Sequence, residues 1–194
     1  MAADPKDSIP RHHYTLDEYF ALERTGDARY EYWNGEIVSM SGGSKQHVRV
    51  SGNVYFGLRQ QLTGRACEVF NSDLAVKTPV LPPYRYPDVS VVRGEAQFEN
   101  VEGTDVLINP TLIVEVLSTA TDRRDRNEKR VAYQSLPSVI EYLMLAQDVP
   151  HLTHFLRQGT KWVRADYANL DATIVLSSIG CVLTLSDAYL GVEF

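Results

Sequence analysis

The spacing of apolar residues changes period several times along this chain, and each change marks an element. Thr15-Leu16-Asp17-Glu18 has the Thr-x-x-Glu form of a helix-capping box, and Leu16, Tyr19, Phe20 and Glu23 continue it at helical spacing. This predicts a first helix ending near Gly26. Residues 29–33 and 36–40 flank Asn34-Gly35, the strongest short signal for a β-hairpin. Ser41-Gly42-Gly43-Ser44 then closes the hairpin and caps a second helix, in which Val48, Val50, Val54, Tyr55, Leu58 and Leu62 recur at roughly helical intervals up to Gly64. From Arg65 the pattern becomes that of strands, at residues 66–70, 74–78 and 86–92, with the proline-bearing loop 79–83 between the last two.

Residues 93–105 are polar with few apolar positions. Residues 111–117 read TLIVEVL, a short, β-branched, nearly continuous apolar run expected of a strand covered on both faces. Ser118-Thr119-Ala120-Thr121 is placed to cap a third helix over residues 122–136, limited by Pro137. Strands follow at 140–145, 152–156, 161–165 and 173–176, then a short helix near 186–190. Residues 1–13 are polar and aperiodic and read as a flexible arm, leaving residues 14–194 as one domain. Helices interleaved with a mixed central sheet make the expected fold α/β (α+β).

Composition narrows the possibilities without choosing among them. A chain of 194 residues, 44% apolar and 23% charged, has the balance of a soluble globular domain. It can bury roughly 70% of its unfolded surface, so no metal or disulfide staple is required for folding. No apolar run approaches the roughly 18 residues of a membrane span, no signal-peptide core opens the chain, and a cytoplasmic location is expected. Cys67 and Cys181 match no zinc or redox spacing and read as small buried hydrophobes. The net charge of −6 argues against a nucleic-acid coat protein, yet leaves room for an enzyme with a local basic patch.

The chemistry is carried by carboxylates. Glu115 stands in the middle of Leu112-Ile113-Val114-Glu115-Val116-Leu117, where burying an ionised group costs several kcal/mol unless something offsets it. A cation, an arginine or a raised pKa would each serve. Asp88 follows Pro87 and leads directly into Val89-Ser90-Val91-Val92. Two such acids on neighbouring strands offer hard oxygen ligands suited to Mg²⁺ or Mn²⁺. On the third helix Asp125, Lys129 and Tyr133 share one face, so Lys129 could bring an ammonium to the same place. Arg123, Arg124, Arg126 and Arg130 supply a local positive patch for phosphates. Glu36, just after the turn, is a candidate further carboxylate, and His47 at the start of the second helix a candidate phosphate or cleft contact. His151 and His154 are three apart on a strand, and so point to opposite faces.

Taken in order, these segments resemble one family. Tyr14-Thr15-Leu16-Asp17-Glu18-Tyr19, Glu36 after Asn-Gly, Tyr86-Pro87-Asp88-Val89-Ser90-Val91-Val92, Pro110-Thr111-Leu112-Ile113-Val114-Glu115-Val116-Leu117-Ser118 and the Asp125, Lys129, Tyr133 helix are similar to the Uma-two family of restriction-endonuclease-like proteins, in the PD-(D/E)XK superfamily. The likeness runs from about Tyr14 to Tyr189. It implies a restriction-endonuclease-like core and a Mg²⁺ or Mn²⁺ site formed by Asp88, Glu115 and the Val116 carbonyl, assisted by Glu36. It also implies hydrolysis of phosphodiester bonds in DNA. One position departs from the superfamily: the lysine two places after the acid is Leu117 here, and the resemblance moves that role to Lys129. A catalytically inactive descendant, acting as a nucleic-acid-binding or oligomeric module, is the alternative. A homodimer or larger homo-oligomer is expected, with Trp162, Tyr167, Ile174 and Val175 as a possible surface.

Overall fold

The computed structural model describes residues 12–25, 30–33, 35–39, 43–80, 83–101, 103–117 and 123–194. The arm up to residue 11, Asn34 of the turn and the segment 118–122 predicted to cap the third helix lie outside them. The elements run α1 (Leu16–Thr25), β1 (Tyr30–Trp33), β2 (Glu36–Ser39), α2 (Lys45–Leu62), β3 (Cys67–Asn71), β4 (Ala75–Lys77), β5 (Tyr84–Arg85), β6 (Val89–Arg93), β7 (Phe98–Val101), β8 (Thr104–Leu107), β9 (Leu112–Leu117), α3 (Arg123–Gln134), β10 (Glu141–Ala146), β11 (Leu152–Gln158), β12 (Lys161–Tyr167), β13 (Thr173–Leu176), β14 (Cys181–Thr184) and α4 (Leu185–Ala188).

Contacts divide the chain into two compact units, residues 1–41 and 42–194. In the first, the capping box forms as the spacing predicts: the Thr15 N–H donates to Glu18 Oε2 (2.7 Å), and the Glu18 N–H to Thr15 Oγ1 (3.2 Å). The hairpin pairs Trp33 with Glu36, and Gly35 takes the left-handed φ of +92° that the tight turn demands.

The second unit is built on a mixed six-stranded sheet, ordered β12-β11-β10-β9-β6-β3. β9 and β10 are parallel, and the other neighbours are antiparallel. β9 is buried at every residue, and its alternation divides the core. Leu112, Val114 and Val116 pack with Val50, Val54, Leu58 and Leu62 of α2. Ile113 packs on the other face with Tyr133 and Leu136, from α3 and the turn after it. A four-stranded sheet, β5-β4-β8-β7, and the hairpin β13-β14 complete the unit.

Three differences from the sequence reading have local causes. The strand expected over residues 86–92 begins only at Val89, as β6; β5 ends before it, at Arg85, and belongs to the smaller sheet, and Pro87, which has no N–H to give a ladder, lies between them. The polar stretch hides the hairpin β7-β8: β7 has no buried residue, and β8 buries only its last two, Val106 and Leu107, so neither shows apolar alternation. β14 was likewise unmarked. Ile174 is fully buried in the core, so it cannot belong to a self-association surface, whereas Val175 is exposed. Both cysteines are free thiols, Cys181 buried and Cys67 half-buried.

Candidate active site

Strand alternation places Glu115 and Leu117 on the α3 side of the sheet, with Ile113. Glu115 is 4% exposed. Its carboxylate accepts from the Tyr133 hydroxyl at Oε1 (3.0 Å) and from Lys129 Nζ at Oε2 (3.4 Å). Lys129 and Tyr133 are one helical turn apart on α3, so a single helix face delivers both donors.

Asp88 lies one step beyond the last β6–β9 pair, Val89 with Val114, so a continued ladder would put it opposite Glu115. The ladder does not continue. Instead Asp88 Oδ2 accepts the Val116 N–H (2.7 Å), standing in for a strand carbonyl. Its other oxygen, Oδ1, lies 2.8 Å from His47 Nε2. His47 is in the first turn of α2, where Ser44 Oγ caps its backbone N–H (3.1 Å). Gly43 leaves room for the ring: a Cβ there would fall 2.8 Å from His47 Cδ2.

His47, Asp88, Glu115 and Lys129 therefore form one electrostatic cluster. The hydrogen bond that His47 donates to Asp88 raises the His47 pKa above its ordinary value; burial opposes this, and the charges of Asp88 and Glu115 add to the rise while Lys129 lowers it. Among the described residues no three His, Cys, Asp or Glu side chains converge into a cage for an ion. The chemistry of the donor set suits a hard divalent cation: Asp88 is bound at the Val116 N–H, and Glu115 is the residue just before Val116 on β9. Mg²⁺ is commonly bound by one or two carboxylates, with water and substrate phosphate completing the shell.

The other predicted residues are placed as follows. Glu36 opens β2 in the N-terminal unit and is exposed; the cluster above is drawn from the main unit alone. Arg123, Arg124 and Arg126 lie on α3, and their side chains are outside the described residues. Arg130 reaches over the sheet, 5.4 Å from the centre of the Phe155 ring. His151 and His154 do not meet: His151 stands 3.6 Å from Asp166, and buried His154 lies 3.5 Å from Glu141.

Glu141 is a carboxylate that sequence reasoning passed over. It is fully buried on the α2 side of β10, where it accepts from Ser178 Oγ (2.6 Å), the Ser177 N–H (3.0 Å) and Ser177 Oγ (3.2 Å). Burial pushes its pKa up, but the hydrogen bonds from His154, Ser178 and Ser177 outweigh this and hold it below the ordinary glutamate value.

With the geometry in place, known proteins supply the relationship. The curated relatives include two uncharacterized proteins of Synechocystis sp.. One, sll1609, is 31% identical over 164 residues, covering 84% of this chain and 92% of that protein. The other, slr1290, is 30% identical over 195 residues and is covered end to end, as is this chain. Among solved structures, a putative nuclease belonging to DUF820 from Anabaena variabilis superposes with a TM-score of 0.67 at 16% identity, over 91% of this chain and 97% of that one. It shows that the fold is shared. The family profile of Uma2, described as "Putative restriction endonuclease", matches residues 16–186, and this chain belongs to that family.

Proposed function

We propose that the protein is a metal-dependent endonuclease that hydrolyses phosphodiester bonds in DNA at the Asp88–Glu115 cluster. The observation that carries this reading is Glu115 itself, a carboxylate 4% exposed in a strand otherwise wholly apolar, with a second acid, Asp88, bonded to the N–H of the next residue. Family membership supports nuclease chemistry in general; the cation and the DNA substrate are inferred from the chemistry of the site.

Asp88, Glu115 and the Val116 carbonyl would hold Mg²⁺ or Mn²⁺, which supplies Lewis-acid polarisation of a phosphate and a more acidic water. The chain's own groups do the rest. The Val116 N–H and His47 grip one oxygen each of Asp88 and so fix the carboxylate plane. Tyr133 orients Glu115 from the other side. Lys129, 11% exposed, puts a positive charge where negative charge builds on the phosphate oxygens, taking the role that Leu117 cannot. Arg123, Arg124, Arg126 and Arg130 sit on the same helix, and their charge supports binding of flanking phosphates by an otherwise acidic protein.

The test is plasmid cleavage in Mg²⁺ or Mn²⁺ by the wild type beside Asp88→Ala and Glu115→Ala. The proposal expects nicking or linearisation by the wild type and at least a hundred-fold loss in both variants, on the order of three kcal/mol of transition-state stabilisation. Cleavage that survives both substitutions would rule this site out. The alternative, an inactive binding module, predicts no calorimetric Mn²⁺ site that Asp88→Ala removes.

A further inference from the structure

The sheet face that carries Glu115 continues past it as a groove of about 370 Å³. Its floor is Leu117, Met144, Thr153 and Phe155, and its walls include Arg130 of α3 and Arg164 of β12. Register explains the alignment. Glu115 pairs with Met144 and Met144 with Thr153, while Phe155 pairs with Arg164 in the adjacent row. All of these side chains therefore stand on the same side of the sheet. The two guanidiniums face one ring, at 5.4 Å and 6.0 Å from the Phe155 centroid.

The two arginines are held differently. Asp166 takes Nε and Nη2 of Arg164 at 2.8 and 2.9 Å, which fixes the guanidinium plane and balances its charge while leaving other N–H donors of the fork. Among the described residues Arg130 makes long hydrogen bonds to Gln134 (3.4 Å) and Asn127 (3.5 Å), and no carboxylate is among the described groove-lining residues. A groove floored by an aromatic ring and walled by two planar forks, with net positive charge, matches a phosphate better than a neutral ligand. Leu117, at its near end, is two residues along β9 from Glu115, roughly 7 Å, about the step between successive phosphates of an extended nucleic-acid backbone.

We infer that this groove is a second phosphate subsite of the cleft, in which Arg130 and Arg164 bind the phosphate next to the one being cleaved. The inference rests on the nuclease reading and sharpens it: the substrate is a polynucleotide strand laid across β10, β11 and β12, and not a mononucleotide or small phosphoester.

Binding without metal tests the inference apart from catalysis. A fluorescein-labelled DNA 12-mer, duplex in one arm and single-stranded in the other, is titrated by anisotropy in EDTA over a range of KCl concentrations. Arg164→Ala and Arg130→Gln should each weaken binding five- to ten-fold, and each should flatten the log K against log salt slope by about 0.9 for duplex or 0.7 for single strand. Lys161→Ala is the control, because Lys161 is on the same strand but the opposite face from Arg164; it should leave the slope unchanged. Thermal midpoints confirm that each variant is folded, and the two arginines lie on different elements. Wild-type slopes in both arginine variants, an equal change in Lys161→Ala, or no binding by the wild type would each overturn the subsite. Flattened slopes in a protein that never cleaves DNA would leave the subsite standing and remove the nuclease reading; unchanged slopes with metal-dependent cleavage would do the reverse.

Discussion

The Glu115–Lys129 pair should be nearly neutral for stability as a pair and costly to break. At 3.4 Å and an effective dielectric of 20, the attraction is about 5 kcal/mol. Against it stands the removal of two ions from water, with side-chain exposures of 5% and 11%, which costs several kcal/mol per ion. The two nearly cancel. Lys129→Met removes the attraction but leaves the Glu115 charge buried, so it should cost about 3 kcal/mol; Glu115→Met leaves the ammonium, which can reach toward solvent, and should cost about 2 kcal/mol. The double variant loses both burdens and should fall within about 1 kcal/mol of the wild type, a coupling of about 4 kcal/mol. Urea unfolding of all four proteins measures this directly from the midpoints at constant m. Because the N···O contact is long, a coupling as low as about 1 kcal/mol would still fit the argument. Additive single costs, within about 0.5 kcal/mol, would refute it: the charges would not then be interacting. The double variant should also be inactive, so Glu115 is held in an apolar strand for chemistry and not for stability.

Other expectations can be checked with the same protein. Tyr133→Phe removes a buried donor to a charged oxygen and should cost about 2 kcal/mol, lowering Tm by roughly 4–8 °C in a chain of this size. Glu141, whose folded pKa lies below its unfolded value, contributes stability that is fully present above the unfolded pKa and is lost as pH falls through the folded one. Glu141→Gln should therefore lower stability at pH 7 and flatten the acid limb of Tm against pH; an unaltered limb would show that Glu141 does not drive it. Gly43→Ala should crowd the His47 ring and weaken Mn²⁺ binding in calorimetry by releasing Asp88, whereas full affinity would show that the His47 contact is dispensable.

How much of this was legible in the sequence depended on whether a signal was local. The capping box, the Gly35 turn and the helical stripe of α2 are written in residues three or four apart, and they form where the spacing puts them. Burial of β9 on both faces follows from its unbroken apolar run. What failed was pairing information. β7 is recruited by its backbone ladder with β8, which needs no apolar side chains on β7, and the placing of β5 and β6 in different sheets depends on their partners, β4 and β9. Arg164 could not be singled out at all, because its place beside Phe155 is set by register across three strands.

The two buried glutamates show where residue-level reasoning stops. Glu115 in LIVEVL and Glu141 in IEYLML carry the same sequence signature, an acid set in an apolar strand, and adjacent strands β9 and β10 present them to opposite faces. Both solve the desolvation problem, but with different partners. Glu141 is held by hydroxyls and a backbone N–H from the loop after β13, with the His154 imidazole 3.5 Å away, and the short bonds bind it to one place and tie that loop to the sheet. Among the partners of Glu115 are an ammonium at the limit of hydrogen-bond range and a phenol, and the next residue's N–H is taken by a second carboxylate, that of Asp88. Neutral donors at short range have no reason to yield to a cation. A lysine at 3.4 Å can swing away and hand its place to one. The difference between a structural acid and a candidate ligand thus lies in how readily its partner can be exchanged, and that is a property of the fold.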